Sequence, residues 1–402
     1  MRHALALART VMYTTAPNPR VGCVIVRDGR VIGEGATQPP GGPHAEVGAL
    51  RDAASRGEST VGATFYVTLE PCSHYGRTPP CADAVVAAAP ARVVVAMGDP
   101  NPLVAGAGLA RLRDAGIAVT AGICQEEALA LNAGFAARMS RGTPWTWLKL
   151  AASLDGRSAL HNGMSQWITG AEARADGHIW RARADVILTG MGTVLKDDPQ
   201  LTVRAFDLPC QPRKAVVDSD LRLPENARLL DGSEVWVFTT SDDQDKAERL
   251  ARRNARVIRL PAVADRACAG RTSIDNASAG GAATGGASAG RASAGRASAG
   301  RVDLAAMLRW MGEQQVNEVH VEAGAGLSGA LLAADCVDEV LAYIAPVLLG
   351  DAAGMVGLPM LENLKEARRF EFIDVARLGG DIRLRGRYVE RWQQLMTAAA
   401  AI

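Results

Sequence analysis

The 402-residue sequence predicts an α/β protein of two domains, on three observations. Short β-rich runs alternate with Ala-rich helical stretches along most of the chain, as in layered α/β architectures. A Gly142-Thr143-Pro144 break falls where one such series ends and another begins. The length suggests two domains, or three, at roughly 150 residues each. Apolar residues make up 48% of the chain, enough for a core in each.

The first series covers residues 1–142. Val21–Val26, Ala63–Leu69 and Arg92–Met97 read as strands, and His44–Ser55 and Ala82–Ala89 as helices. The second series covers 145–402. Its strand candidates are Trp145–Ala151, Val186–Thr189, Lys214–Val217, Val235–Thr239, Arg256–Leu260, Glu318–Glu322 and Val340–Ile344. Leu304–Glu313 and Leu327–Ala334 read as helices. Ala267–Arg301 interrupts this domain. It is mostly Ala, Gly, Ser and Arg, with three copies of Ala-Ser-Ala-Gly-Arg from Ala287 to Arg301, and Ile274 is its one large apolar side chain. Such a tract has too little apolar surface to offset ordering entropy, so a flexible insertion is expected. The alternative, a basic nucleic-acid arm, has few arginines and no interleaved aromatics to support it.

Composition narrows the function. The formal net charge is +1, from 44 basic and 43 acidic residues, which gives no electrostatic footprint for nucleic acid or an anionic membrane. The apolar run Val340–Gly350 falls short of the about 20 residues that span a bilayer. The apolar Ala4–Ala8 stops at Arg9, short of the h-region of about 7–15 residues in a signal peptide. Seven cysteines in a chain of this length suit reduced thiols in a cytoplasmic protein better than a disulfide framework.

Two of those cysteines and a histidine form a pattern. His44-Ala45-Glu46 is followed by Pro71-Cys72 and then Cys81. One imidazole and two thiolates suit tetrahedral Zn²⁺ with an open fourth position, where a bound water loses a proton near neutral pH. Glu46 lies where a proton carrier is needed, two residues from His44 near a helix start. This H-x-E…P-C arrangement is the one recorded for zinc nucleobase deaminases. A closed structural site would need a fourth protein ligand. His74 is the available one, but that reading leaves Glu46 without a role. Cys23, Cys124, Cys210, Cys268 and Cys336 have no comparable partners and read as packing or incidental thiols.

The spacing between the cysteines is unusual for such deaminases. Cys72-Ser-His-Tyr-Gly-Arg-Thr-Pro-Pro-Cys81 resembles the pyrimidine deaminases of riboflavin biosynthesis, as do Pro17-Asn18-Pro19-Arg20-Val21-Gly22, His44-Ala45-Glu46-Val47 and Asp99-Pro100-Asn101-Pro102. In that family a diaminohydroxyphosphoribosylaminopyrimidine deaminase is fused to a C-terminal 5-amino-6-(5-phosphoribosylamino)uracil reductase. The resemblance implies a cytidine-deaminase-like three-layer α/β/α domain over 1–142, with His44, Cys72 and Cys81 on zinc and Glu46 catalytic. The sequence departs from the family where Ala36-Thr37 follows Gly33-Glu34-Gly35, a place commonly held by an aromatic residue and a histidine. Thr37 and Arg77 are further candidates for the substrate phosphate.

Lys149-Leu-Ala-Ala-Ser-Leu-Asp-Gly-Arg157, Ser165-Gln-Trp-Ile-Thr-Gly170, Thr193-Val-Leu-Lys-Asp-Asp-Pro199 and Val319-His-Val-Glu-Ala-Gly324 resemble the reductase partner. That implies a dihydrofolate-reductase-like α/β domain using NADPH. By the same resemblance the cofactor is met by Ala151, Trp167, Thr193, Asp197, Ser219 and the turn Gly324, Ala325, Gly326, Leu327, Ser328, Gly329 and Ala330. Ser165, Arg181, Leu201, Arg204 and Glu322 meet the phosphoribosyl substrate, with Lys149 a further candidate at the ribose. Gly324-x-Gly326-x-x-Gly329 can also be read directly, as a glycine-rich helix start that a phosphate approaches or as a packing device. It comes late in its domain, and the position about 20 residues on, near Ile344, is not acidic, which argues against a Rossmann fold.

The family resemblance also implies small-molecule substrates and a homo-oligomer. Two other readings remain at this point. One is a tRNA or cytidine deaminase with an appended domain, which the wide Cys72–Cys81 loop and the balanced charge disfavour. The other is a zinc-stabilised binding module beside a catalytic reductase, which Glu46 disfavours.

Overall fold

The computed structural model describes residues 1–73, 79–102, 104–263 and 300–400. His74, Arg77 and nearly all of the Ala267–Arg301 tract lie outside the described residues. The tract's flanks are well defined. Ala262–Val263 pairs antiparallel with Arg301–Val302, so the two ends of the insertion meet side by side.

Five strands form the N-terminal sheet, in the order Arg30–Ala36, Gly22–Arg27, Thr64–Val67, Arg92–Val95, Ala118–Ala121. The first three are antiparallel to their neighbours and the last three run parallel. Side chains alternate faces along a strand. Gly33 and Gly35 pair with Ile25 and Cys23, and both glycines lie under the helix Ala45–Ser55. Gly22, on the opposite parity, lies under the helix Arg2–Thr10. Helices therefore cover both faces, giving the expected three-layer α/β/α domain. A Cβ at Gly35 would lie 2.2 Å from the Ala45 carbonyl oxygen, and one at Gly33 would lie 2.4 Å from that of Ala49. These glycines seat the helix that carries Glu46.

The second sheet has nine strands, in the order Ala255–Arg259, Val235–Thr239, Arg213–Val217, Val186–Gly190, Glu318–Glu322, Trp145–Ser153, Glu339–Ala345, Asp381–Arg387, Glu371–Leu378. The first seven are parallel and the final hairpin is antiparallel. Every strand expected from sequence is present. The strands Arg30–Ala36 and Ala118–Ala121, the terminal hairpin and the helix Val389–Ala398 come as additions.

The halves are packed as one body. The core of the first sheet continues into Trp145, Trp147 and Tyr343 of the second, Trp180 of the helix Ala171–Arg183, and Trp392 and Leu395 of the last helix. The Gly98 amide donates to the Ala399 carbonyl at 3.0 Å, which ties the C-terminal helix back to the first domain. Among the described residues no helix is long and apolar enough to cross a membrane.

Candidate active sites in the two halves

His44 is the N-cap of the helix Ala45–Ser55, and Cys81 is the first residue of the helix Cys81–Ala87. Cys72 lies in the loop that follows the strand Thr64–Val67. Two helix starts and one strand end thus converge. Their partial positive charge favours thiolate. Cys81 Sγ is 3.2 Å from His44 Nδ1, and Cys72 Sγ is 3.7 Å from it. A tetrahedron with Zn–N of about 2.0 Å and Zn–S of about 2.3 Å has edges of about 3.5–3.8 Å, so the donor set fits zinc in both chemistry and size. The three ligand atoms lie within 4.8 Å of one another. The Cys81 amide donates to Cys72 Sγ at 3.3 Å. The Cys81 thiol's own hydrogen bond brings Cys72 down to about 4 and holds Cys81 above the usual thiol range.

Glu46 is 4% exposed in the first turn of its helix. Burial, reinforced by the charge of Cys72, pushes its carboxyl up to about 7, where it exchanges protons readily at neutral pH. His44, Glu46 and Cys72 line a cavity of about 380 Å³. Its other walls are Pro17–Pro19, Thr37, Pro40–Gly42, Asp99 and Asn101 of the first domain. Beneath them the buried Glu70 carboxylate accepts four backbone amides, from Asp99, Gly106, Gly108 and Leu109, and so fixes the Asp99–Asn101 wall. Thr37 lines the cavity with its hydroxyl engaged by Val21, whose amide it accepts at 3.2 Å.

Arg20, from the same sequence motif as Asn18, does not line this cavity. It is buried and forks onto Glu318 of the second half, at 2.9 and 2.8 Å. Arg183 shares that carboxylate. Burial alone would raise Glu318, but Arg183 and Arg20 hold it below the usual carboxylate range. Arg20 is a clamp between the halves.

The second site opens at the carboxyl ends of the parallel strands, where α/β sheets bind ligands. Two contiguous cavities of about 440 and 560 Å³ share Lys149, Trp167, Arg174, Thr193, Asp197 and Glu322. Ala151, Ser165, Gly324 and Ala325 line the first. Arg181, Leu201 and Arg204 line the second. Fifteen of the expected zinc, catalytic, cofactor and substrate positions are reached when the zinc cavity and this cleft are taken with Cys81.

Other expected positions fall elsewhere. Ser219 is outside the cleft as bounded by the described residues. Its side-chain oxygen accepts the Val302 amide at the base of the insertion. Gly326, Leu327, Ser328, Gly329 and Ala330 also do not line it. A Cβ at Gly329 would lie 2.0 Å from the Gly357 carbonyl oxygen, so that glycine is needed for packing and only the motif's start faces the cleft. Arg181 and Glu322 meet each other. Arg181 Nη2 lies 2.8 Å from Glu322 Oε2, and its Nε contacts the other oxygen. Burial opposes the charge on Glu322, yet Arg181 brings it well below the carboxylate range. Arg181 is therefore largely neutralised before any anion arrives.

Sequence reasoning passed over Arg174 and His178 on the cleft wall. A signal for them exists: Arg174, His178 and Arg181 follow i, i+4, i+7 spacing along the helix Ala171–Arg183 and so share a face. Arg174 lies over the exposed Trp167 ring at 4.5 Å. Tyr343 was also missed. It donates to Asp176 at 2.7 Å and lies beneath Lys149.

Comparison with known proteins finds two family matches along the chain. Residues 1–97 match the cytidine and deoxycytidylate deaminase zinc-binding region, and residues 144–384 match the RibD C-terminal domain. The riboflavin biosynthesis protein RibD of Escherichia coli K12 is 44% identical over 95% of this chain and 96% of its own. A solved structure of Acinetobacter baumannii RibD superposes with a TM-score of 0.79 at 40% identity, covering 96% of this chain and 97% of that one. A Thermotoga maritima diaminohydroxyphosphoribosylaminopyrimidine deaminase/5-amino-6-(5-phosphoribosylamino)uracil reductase gives a TM-score of 0.78 at 30% identity, with the same coverage.

Proposed function

The chain belongs to the RibD family of riboflavin biosynthesis, bifunctional enzymes with a zinc deaminase and a reductase domain, and from that premise we propose how its residues divide the work. The observation that carries the assignment is the His44–Cys72–Cys81 cluster with buried Glu46 in one cavity. His44, Cys72 and Cys81 hold the zinc, which when bound supplies an activated water as nucleophile. Glu46 takes a proton at its carboxylate and returns it to the departing amine, so that the diaminopyrimidine loses ammonia. Its near-neutral pKa lets it do both. The walls at Asn18 and Asp99–Asn101 hold the pyrimidine and shed water.

In the second half NADPH supplies hydride for reduction of the ribosyl group to the ribityl group. Ala151, Trp167, Thr193, Asp197, Gly324 and Ala325 form the cofactor wall. The Gly324 turn presents backbone amides at the start of the helix Ala325–Ala333. Ser165, Arg204 and the Arg181–Glu322 pair face the phosphoribosyl substrate, with Leu201 packed behind them. Because Arg181 is occupied by Glu322, exposed Arg204 carries more of the phosphate recognition.

We also infer a cytoplasmic homo-oligomer. Thiolate ligands need reduced cysteines, which a reducing compartment maintains. The edge strand Glu371–Leu378 exposes Phe372 and Val375, and nearby Met360 and Leu364 are more than four-fifths exposed, an apolar rim suited to a second copy. The near-zero net charge supports small-molecule substrates and no nucleic-acid or membrane partner.

Ammonia release and NADPH absorbance, followed together on the diaminopyrimidine phosphate, test the assignment. A chelator should stop ammonia release and leave reduction of the deaminated intermediate intact. Ammonia release that persists after complete zinc removal contradicts the zinc assignment.

A further inference from the structure

The deaminase cavity is not built from the first domain alone. Gln315, from the turn between the helix Leu304–Glu313 and the strand Glu318–Glu322 of the reductase half, is part of its wall. Two neighbours in sequence fix that turn in place. The Asn317 side chain donates to the Pro17 carbonyl at 3.0 Å and accepts from Arg138 Nε at 2.7 Å, and both Pro17 and Arg138 also line the cavity. Next to it, Glu318 takes the Arg20 fork. Gln315 itself has φ of +64°, the left-handed helix-end position where glycine costs least. A long amide side chain is kept there at a conformational cost, and among the described residues that amide has no hydrogen-bond partner.

The cavity's lining carries both signs of charge. Glu46, Glu70 and Asp99 accompany the zinc ligands, while Arg138 is the one guanidinium among the described lining residues. Its Nε and Nη2 are taken by Asn317 and Pro17, so Nη1 is left for a ligand. The deaminase substrate carries a polar ribosyl phosphate tail on a pyrimidine that must reach the metal end. We propose that Gln315 of the reductase half is a specificity-determining residue of the deaminase, reading this tail beside Arg138. The inference rests on the deaminase reading above and adds that the second domain completes the first domain's site.

The test is Gln315→Ala in the full chain. A single hydrogen bond contributes about 1 kcal/mol, so the deaminase KM for the phosphoribosyl substrate should rise about fivefold. Loss of binding that is equal in ground and transition states leaves kcat within about twofold. The inhibition constant of the bare aminopyrimidine, which lacks the tail, should not move, nor should the reductase kinetics. Gln315→Gly should show the same KM rise and a higher Tm, since it relieves the left-handed strain. A KM unchanged in both variants overturns the proposal, as does an equal weakening of the bare pyrimidine. A wild-type chain that releases no ammonia overturns the deaminase reading itself, a failure distinct from a fully active Gln315→Ala.

Discussion

The zinc cavity and the reductase cleft differ in how far along the chain their walls are gathered. His44 and Cys81 are 37 residues apart and meet because two helix starts flank one strand end. Arg181 and Glu322 are 141 residues apart and meet only through the order of a nine-stranded sheet. The first site is a local chemical pattern. The second is a property of topology, and one of its cations, Arg181, is already paired with Glu322. Changes at the zinc site should therefore act on one reaction by removing one group. Changes in the cleft should be buffered by neighbours.

The sharpest break in that comparison comes from the zinc site. Cys72→Ser should lose zinc and abolish deamination, and Glu46→Gln should keep zinc and lose about 10²–10⁴-fold in deamination. Elemental analysis beside ammonia release separates the two, and both variants should still reduce the deaminated intermediate. Full zinc content in Cys72→Ser would remove it from the ligand set.

The clamp between the sites comes next. Arg20→Ala leaves Glu318 buried with Arg183 alone, a loss of about 3 kcal/mol for one partner of a buried pair. Denaturant unfolding should show it, together with reduced activity in both halves. The same carboxylates set an acid limit. Glu318 and Asp338 are buried and Glu322 half-buried, and desolvation opposes their charge, yet arginines hold all three below the ordinary range. A depressed carboxylate stabilises fully above its unfolded pKa, here above about pH 5, and loses that contribution as pH falls through its folded value. Asp185 runs the other way. Burial raises it to about 6, and likewise raises Glu46 and Asp99 to about 7 and lifts Asp218, so the share of these four is lost as pH rises through their folded values and is constant below about pH 4. Unfolding midpoints should therefore fall between about pH 4 and pH 3, where the depressed carboxylates titrate alone.

In the cleft, Arg204→Ala should raise the reductase substrate KM about tenfold, as a charge-assisted contact of about 1.5 kcal/mol implies, with NADPH affinity unchanged. Equal loss for both ligands would move Arg204 to the cofactor. The smallest effect is expected at the insertion. Because Val263 and Arg301 are paired, a short turn can replace residues 264–299, and the cost in stability should stay within about 1 kcal/mol. A large loss of folded protein would show that the tract packs.

What could be read from the sequence follows the same division. His44, Glu46, Cys72 and Cys81 stand out because the metal's ligand chemistry restricts residue type and spacing together. Gly324 and Gly329 have the same letter and different causes, one at the cleft and one under the Gly357 carbonyl, and nothing local separates them. Arg20 sits in a motif shared with a cavity wall but points to the other domain. The hairpin 371–387 was missed because its arginines look solvated. In the fold Arg383 pairs with Asp176 and Asp374, and Arg387 pairs with Glu339. The strand Arg30–Ala36 was hidden by Gly33 and Gly35, which a helix needs and a strand pattern does not suggest.

The central claim is that two chemically independent sites share one chain and act in order. Glu46→Gln, incubated with NADPH, tests it most directly. Given the diaminopyrimidine phosphate, it should release almost no ammonia and consume almost no NADPH. Given the deaminated intermediate, it should oxidise NADPH at the wild-type rate. NADPH consumption on the diamino substrate without ammonia would contradict the order, and loss of reduction on the intermediate would contradict the independence of the sites.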